Sequence, residues 1–160
     1  MSIQIGEKMP GGTFKTMTGE GPKEVTTDQL FGGKKVLLFC VPGAFTPTCD
    51  RKHLPGYVKQ APALKAKGID TIACLAVNDV FVMDAWAKAS GVNDEILMLA
   101  DGNADYVKAL GLELDARGFG MGVRGQRFSV LVENGVVKQL NIEPPGQFNV
   151  SSAECALGQL

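Results

Sequence analysis

The chain has 160 residues, 45% of them hydrophobic and 21% charged, which are the proportions of a soluble globular protein and exclude a disordered or fibrous one. A chain this long buries roughly 68–70% of its unfolded surface, so a core forms without disulfide or metal staples, and residues 1–160 are read as one domain. Lys and Arg number 16 and Asp and Glu 17, and the resulting net charge of −1 supplies no field for nucleic acid or an anionic membrane.

In chain order, Met1 to Pro10 has neither a basic n-region nor an apolar h-region, so a cytoplasmic protein without a secretory signal is expected. Thr13 to Met17 reads as a short strand between glycine-rich turns, and Thr27 to Phe31 as a helical turn ended by Gly32-Gly33. Val36 to Val41 is a continuous apolar run, expected to be a strand buried on both faces. After Pro42-Gly43 a helix starts with Thr46 at the N-cap and Pro47 at its first position. Pro55 falls inside the helical pattern, where it lacks a donor and clashes with the Arg51 carbonyl, so a kink or break is expected there. Helical sequence resumes from Tyr57 to Lys67. Strands follow at Ile69–Val77 and Ile96–Leu99, and helices at Phe81–Ser90, with Trp86 and Phe81 read as core, and at Asn103–Leu110. Arg127–Glu133 and Val136–Ile142 flank Asn134-Gly135 as a hairpin, and Ser152 to Leu157 closes the chain as a short helix. Alternating strands and helices followed by a hairpin predict an α/β protein with a mixed central sheet flanked by helices, of which the thioredoxin-like fold is the best-known small example.

Cys40, Cys49, Cys74 and Cys155 are too scattered for a disulfide scaffold or a zinc site, no pair has Cys-x-x-Cys spacing, and His53 is the sole histidine. No metal or cofactor is expected, and any nucleophilic chemistry falls to a thiol. Cys49 is the placed one. It lies in the first turn of a helix, where unpaired backbone N–H groups and the positive end of the macrodipole favour thiolate. The same residue is also readable as a buried structural cysteine. His53, four residues on, shares its helical face, but a Cys–His base pair needs an orienting third group, so a packing or pocket-lining role is expected. Gly118 to Gly122 lacks phosphate-loop spacing and reads as a flexible loop near an interface.

The segment Pro42-Gly43-Ala44-Phe45-Thr46-Pro47-Thr48-Cys49 resembles the peroxiredoxin active-site motif in the form used by the peroxiredoxin-five (plant type II) subfamily. His53 to Tyr57, Val77-Asn78-Asp79 and Arg127-Phe128-Ser129 look like later blocks of that subfamily, and the likeness thins only after Pro145. The resemblance implies that Cys49 is the peroxidatic cysteine, that Thr46 hydrogen-bonds thiolate and peroxide, that Arg127 lies across the site and holds the charge, and that Pro42 shields the pocket from water. It also implies a peroxide substrate, glutathione/glutaredoxin or thioredoxin as reductant, and a homodimer with Phe45 and the 118–122 loop near its interface. A peroxide-sensing redox module on the same fold is the alternative. Near Cys155 the pattern departs from the family's: Ser151, counted from Asn141, matches the place of a C-terminal resolving cysteine better.

Cys74, 25 residues after Cys49, is the possible internal resolving thiol. A helix to about Lys65 descends on the order of 27 Å and the next strand climbs back roughly 17 Å. The remaining gap of about 10 Å exceeds the 7 Å or so that a disulfide tolerates. The expectation is therefore that an external thiol usually resolves Cys49 and that Cys40 and Cys74 are strand-core residues.

Overall fold

The computed structural model describes residues 1–160. The chain opens with a hairpin of β1 (Thr13–Thr18) and β2 (Gly21–Thr26), then α1 (Thr27–Phe31) and β3 (Lys35–Val41). A helical turn leads into α2 (Leu54–Ala66), followed by β4 (Thr71–Ala76), α3 (Val80–Ala89), β5 (Leu97–Ala100) and α4 (Asp105–Leu110). Two short strands, β6 (Glu113–Asp115) and β7 (Val123–Gly125), precede β8 (Phe128–Glu133), β9 (Val136–Ile142) and α5 (Ala153–Gly158).

Seven strands form one sheet in the order β2-β1-β5-β4-β3-β8-β9, and β6 and β7 pair separately. The strand–helix–strand crossovers make β3, β4 and β5 parallel neighbours, while β8 joins β3 and β1 joins β5 antiparallel. The result is the mixed, helix-flanked, thioredoxin-like sheet. Side chains of β3 alternate between its faces. Leu37, Phe39 and Val41 pack with Cys74, Tyr57, Leu64 and Trp86 under α2 and α3. Val36, Leu38 and Cys40 face the other way, toward Phe31, Tyr106 and Val107. That alternation separates the thiols: Cys49 and Cys74 belong to the first core, Cys40 to the second.

Two expectations change. The chain does not break at Pro55: Cys49–His53 forms a π-helical turn in which the Leu54 N–H donates to the Cys49 carbonyl, and α2 begins at Leu54 with Pro55 in its first turn. The wider turn takes up the ring where a regular helix would demand a donor to Arg51. Phe81 is not core but 64% exposed. The buried stripe of α3 is Val80, Met83 and Trp86, and Phe81 falls outside it.

Candidate active site

The β3 strand delivers the chain at Val41 to the carboxyl edge of the sheet, where open α/β sheets place ligands. The loop that follows is fixed by its neighbours. The Ala44 N–H donates to Asn78 Oδ1 at 2.9 Å, Arg124 Nη1 donates to the Val77 carbonyl at 3.2 Å, and Asp79 caps α3 through the Val82 N–H. Phe45 takes a left-handed φ of 64° to turn the chain into the helix. The Asp50 N–H then donates to the Thr46 carbonyl at 2.8 Å, closing the first helical turn and placing Cys49 within it.

Cys49 is fully buried, and Arg127, 78 residues away, donates from Nη2 to its Sγ at 3.0 Å. Arg127 immediately precedes β8, whose Phe128 pairs with Cys40 of β3, so strand register carries the guanidinium to the end of β3. Its other terminal nitrogen, Nη1, lies 2.8 Å from His53 Nδ1, and the Phe148 ring centre lies 5.9 Å from its guanidinium carbon. His53 Nε2 is 3.0 Å from the Ser151 carbonyl, which also accepts the Tyr57 hydroxyl proton at 2.8 Å. Glu143 Oε2 accepts from the Ser151 N–H and hydroxyl and from the Asn149 N–H, at 2.9, 2.7 and 2.6 Å. Burial opposes ionisation of this carboxyl, but the donors together hold its pKa below the usual value. Burial first, then the Arg127 charge, lowers the His53 pKa to about 3.

The hydrogen bond to the thiolate expected of Thr46 does not form, because its one proton is used elsewhere. Its hydroxyl donates to the Gly43 carbonyl at 2.7 Å. That proton is engaged, and what the oxygen retains are acceptor lone pairs. Pro42 and Thr48 line a cavity of about 490 Å³ with Arg127, Glu143, Phe119 and Pro144. His53 does more than pack: both ring nitrogens are bonded, so neither is free to act as a base on Cys49. Asp50 Oδ1 accepts from the buried indole N–H of Trp86 at 2.9 Å and so ties the turn carrying Cys49 to α3. Burial raises the thiol pKa of both Cys40 and Cys74. Cys155 sits half-buried on α5, apart from these contacts. Ser151 stands out in the sequence only as the place of a resolving cysteine, and Glu143, Phe148 and the Asp50–Trp86 link carry no local signal, because only the fold brings them to Cys49 or its partners.

A thioredoxin-like sheet with a thiol at a helix start, facing an arginine, defines the class of thiol redox proteins. A profile of the Redoxin family matches residues 4–157. Peroxiredoxin-2E, chloroplastic, of Arabidopsis thaliana is 51% identical over 164 residues, spanning 99% of this chain and 70% of that protein. Peroxiredoxin-2C of Oryza sativa subsp. japonica is 49% identical over 153 residues, 95% of this chain and 94% of its own. Among solved structures, reduced Prx3 of Vibrio vulnificus in complex with hydrogen peroxide superposes with a TM-score of 0.95 at 52% identity, covering 98% of each chain. The chain belongs to the peroxiredoxins, in their type II, peroxiredoxin-five-like branch. It is a thiol-dependent peroxidase: it takes a peroxide as substrate, oxidises a cysteine and is returned to the thiol by a thiol reductant.

Proposed function

We propose that Cys49 is the attacking thiol and that Arg127, Thr46 and Pro42 serve it. The Cys49 thiolate attacks one peroxide oxygen, an S–O bond forms as the O–O bond breaks, and the leaving oxygen takes a proton to depart as water or an alcohol. The product is a sulfenic acid. The observation that carries this reading is the Arg127 Nη2 to Cys49 Sγ contact of 3.0 Å at the start of a helix. An arginine fork can hold the thiolate and still reach a peroxide oxygen. With its proton on Gly43, Thr46 Oγ1 is suited to accept from a peroxide O–H and aim it. Pro42, on the cavity wall, presents no donor that would hold water there.

An external thiol, glutathione or glutaredoxin, with thioredoxin as the alternative, completes the cycle. It displaces water from the sulfenic acid to form a mixed disulfide, and a second thiol then releases Cys49. Support comes from the cavity of about 490 Å³, ample for more than hydrogen peroxide, and from Cys74, wholly buried within β4. The same volume supports small organic hydroperoxides as further substrates. The reading includes a homodimer, supported by the exposed aromatics Phe45, Phe81 and Phe119, and a cytoplasmic location, supported by four unpaired cysteines. No helix is long and apolar enough to cross a membrane.

Steady-state peroxide reduction tests the assignment. Cys49→Ser abolishes it and Cys40→Ser retains most of it. Arg127→Ala loses about 10²–10³ in rate, the usual cost of removing one charge-stabilising donor, and Arg127→Lys recovers only part. Full activity in Cys49→Ser sinks the reading, and one oxidation event without turnover favours a sensor.

A further inference from the structure

The proposed chemistry relies on one guanidinium aimed at one sulfur, yet an arginine side chain is long and rich in rotamers. Arg127 is only half-buried, so packing alone does not fix it. Its Nη1 meets His53 Nδ1 at 2.8 Å while Nη2 meets Cys49 Sγ at 3.0 Å. A guanidinium can only donate, so Nδ1 is an unprotonated acceptor, and a carbonyl can only accept, so Nε2, facing Ser151, carries the ring proton. The two partners thereby select a single neutral tautomer. The ring is itself immobilised. It is fully buried, with Phe39, Tyr57 and Phe148 ring centres at 4.9, 5.6 and 5.0 Å, and its anchor carbonyl is held through Ser151 by Glu143.

We infer that His53 is a positioning residue for peroxide reduction: accepting from Nη1 through Nδ1, it turns Arg127 so that Nη2 faces Cys49. The inference rests on the reading of Cys49 and Arg127 given above. It assigns the ring no proton transfer, because both nitrogens are bonded. The segment from Glu143 to Ser151, beyond every residue of the motif, thereby becomes part of the support for the thiol.

Two substitutions separate the ring's acceptor from its bulk. His53→Asn sets a carbonyl oxygen near the place of Nδ1, and His53→Gln sets an amide donor near the place of Nε2 and leaves Nη1 without an acceptor. Rapid-mixing rates with hydrogen peroxide and the pH dependence of Cys49 alkylation are measured for both, with Arg127→Ala alongside. His53→Gln slows attack on the order of 10- to 100-fold, as sub-ångström to ångström misplacement does, and moves Cys49 alkylation to higher pH. His53→Asn restores both toward the parent. A parental rate and profile in His53→Gln, or equal impairment in His53→Asn, overturns the inference. If Arg127→Ala is impaired in that case, the underlying reading stands, and a parental Arg127→Ala removes that reading too. Should both histidine variants unfold, nitrogen NMR of the parent decides, with the Nε2–H tautomer expected unchanged from about pH 8 to pH 5. An Nδ1–H tautomer, or titration near the ordinary histidine value of about 6.5, overturns the inference.

Discussion

Acidification from pH 7 to pH 5 should destabilise the fold through His53, by an amount that follows from linkage. The imidazole pKa is about 3 in the folded chain against 6.5 for an unperturbed histidine, because burial, and after it the Arg127 charge, excludes the proton. Between those values the unfolded chain binds a proton that the native state does not. Stability contributed by the neutral ring is therefore complete above the unfolded value and is lost as pH falls toward the folded one. Integrated from pH 7 to pH 5, the loss is roughly 2 kcal/mol, equivalent to about 4–8 °C in Tm for a chain of this length. Glu143, whose pKa the Ser151 and Asn149 donors lower, adds a loss in the same sense, and Asp101, whose pKa burial raises, works oppositely. Comparison with His53→Asn isolates the ring. Urea unfolding of both proteins at the two pH values should show the parent losing about 2 kcal/mol more than the variant. Equal losses would mean that the native ring takes up a proton by pH 5 as readily as the unfolded one, and a neutral ring accepting from Arg127 at that pH would be wrong.

Three further outcomes follow from the packing. Gly125→Ala would set a Cβ 2.6 Å from Cys40 Sγ and 3.0 Å from Val107 Cγ1, so thermal unfolding should show about 1–3 kcal/mol of destabilisation. Adding Cys40→Ala should recover much of it. Asp50→Ala leaves the indole N–H of the single, buried tryptophan unpaired, costing about 1–3 kcal/mol, and the Trp86 emission spectrum should shift. With glutathione as reductant, Cys74→Ala should retain turnover, and non-reducing mass spectrometry should find the glutathione adduct on Cys49. A dominant Cys49–Cys74 disulfide together with lost turnover in Cys74→Ala would refute external resolution.

Local signals explain which parts of the fold and site the sequence discloses. The apolar run Val36–Val41 and the Asn134-Gly135 turn dictate a buried strand and a hairpin, and both form at those places. Thr46-Pro47 likewise announces the helix start that holds Cys49. The strand β2 escapes notice because Gly21-Pro22 and charged Lys23 and Glu24 mask its alternation, and three-residue β6 and β7 are too short for any period. Pro55 signals a disturbance, but whether it becomes a break or a π turn depends on the core beneath Leu54 and Tyr57. His53 shares the helical face of Cys49 in the sequence alone. That it serves Arg127 instead of the thiol depends on partners 74 and 98 residues away, which no local pattern encodes.

The site confines peroxide chemistry to Cys49 and to no other thiol. Intact and peptide mass spectrometry after stoichiometric hydrogen peroxide, with a sulfenic-acid trap present and no reductant, tests it most directly. One trapped sulfenic acid is expected, on Cys49, with Cys40, Cys74 and the half-buried Cys155 unmodified and no adduct in Cys49→Ser. Trapping at another cysteine at the parental rate when Cys49 is replaced would contradict it.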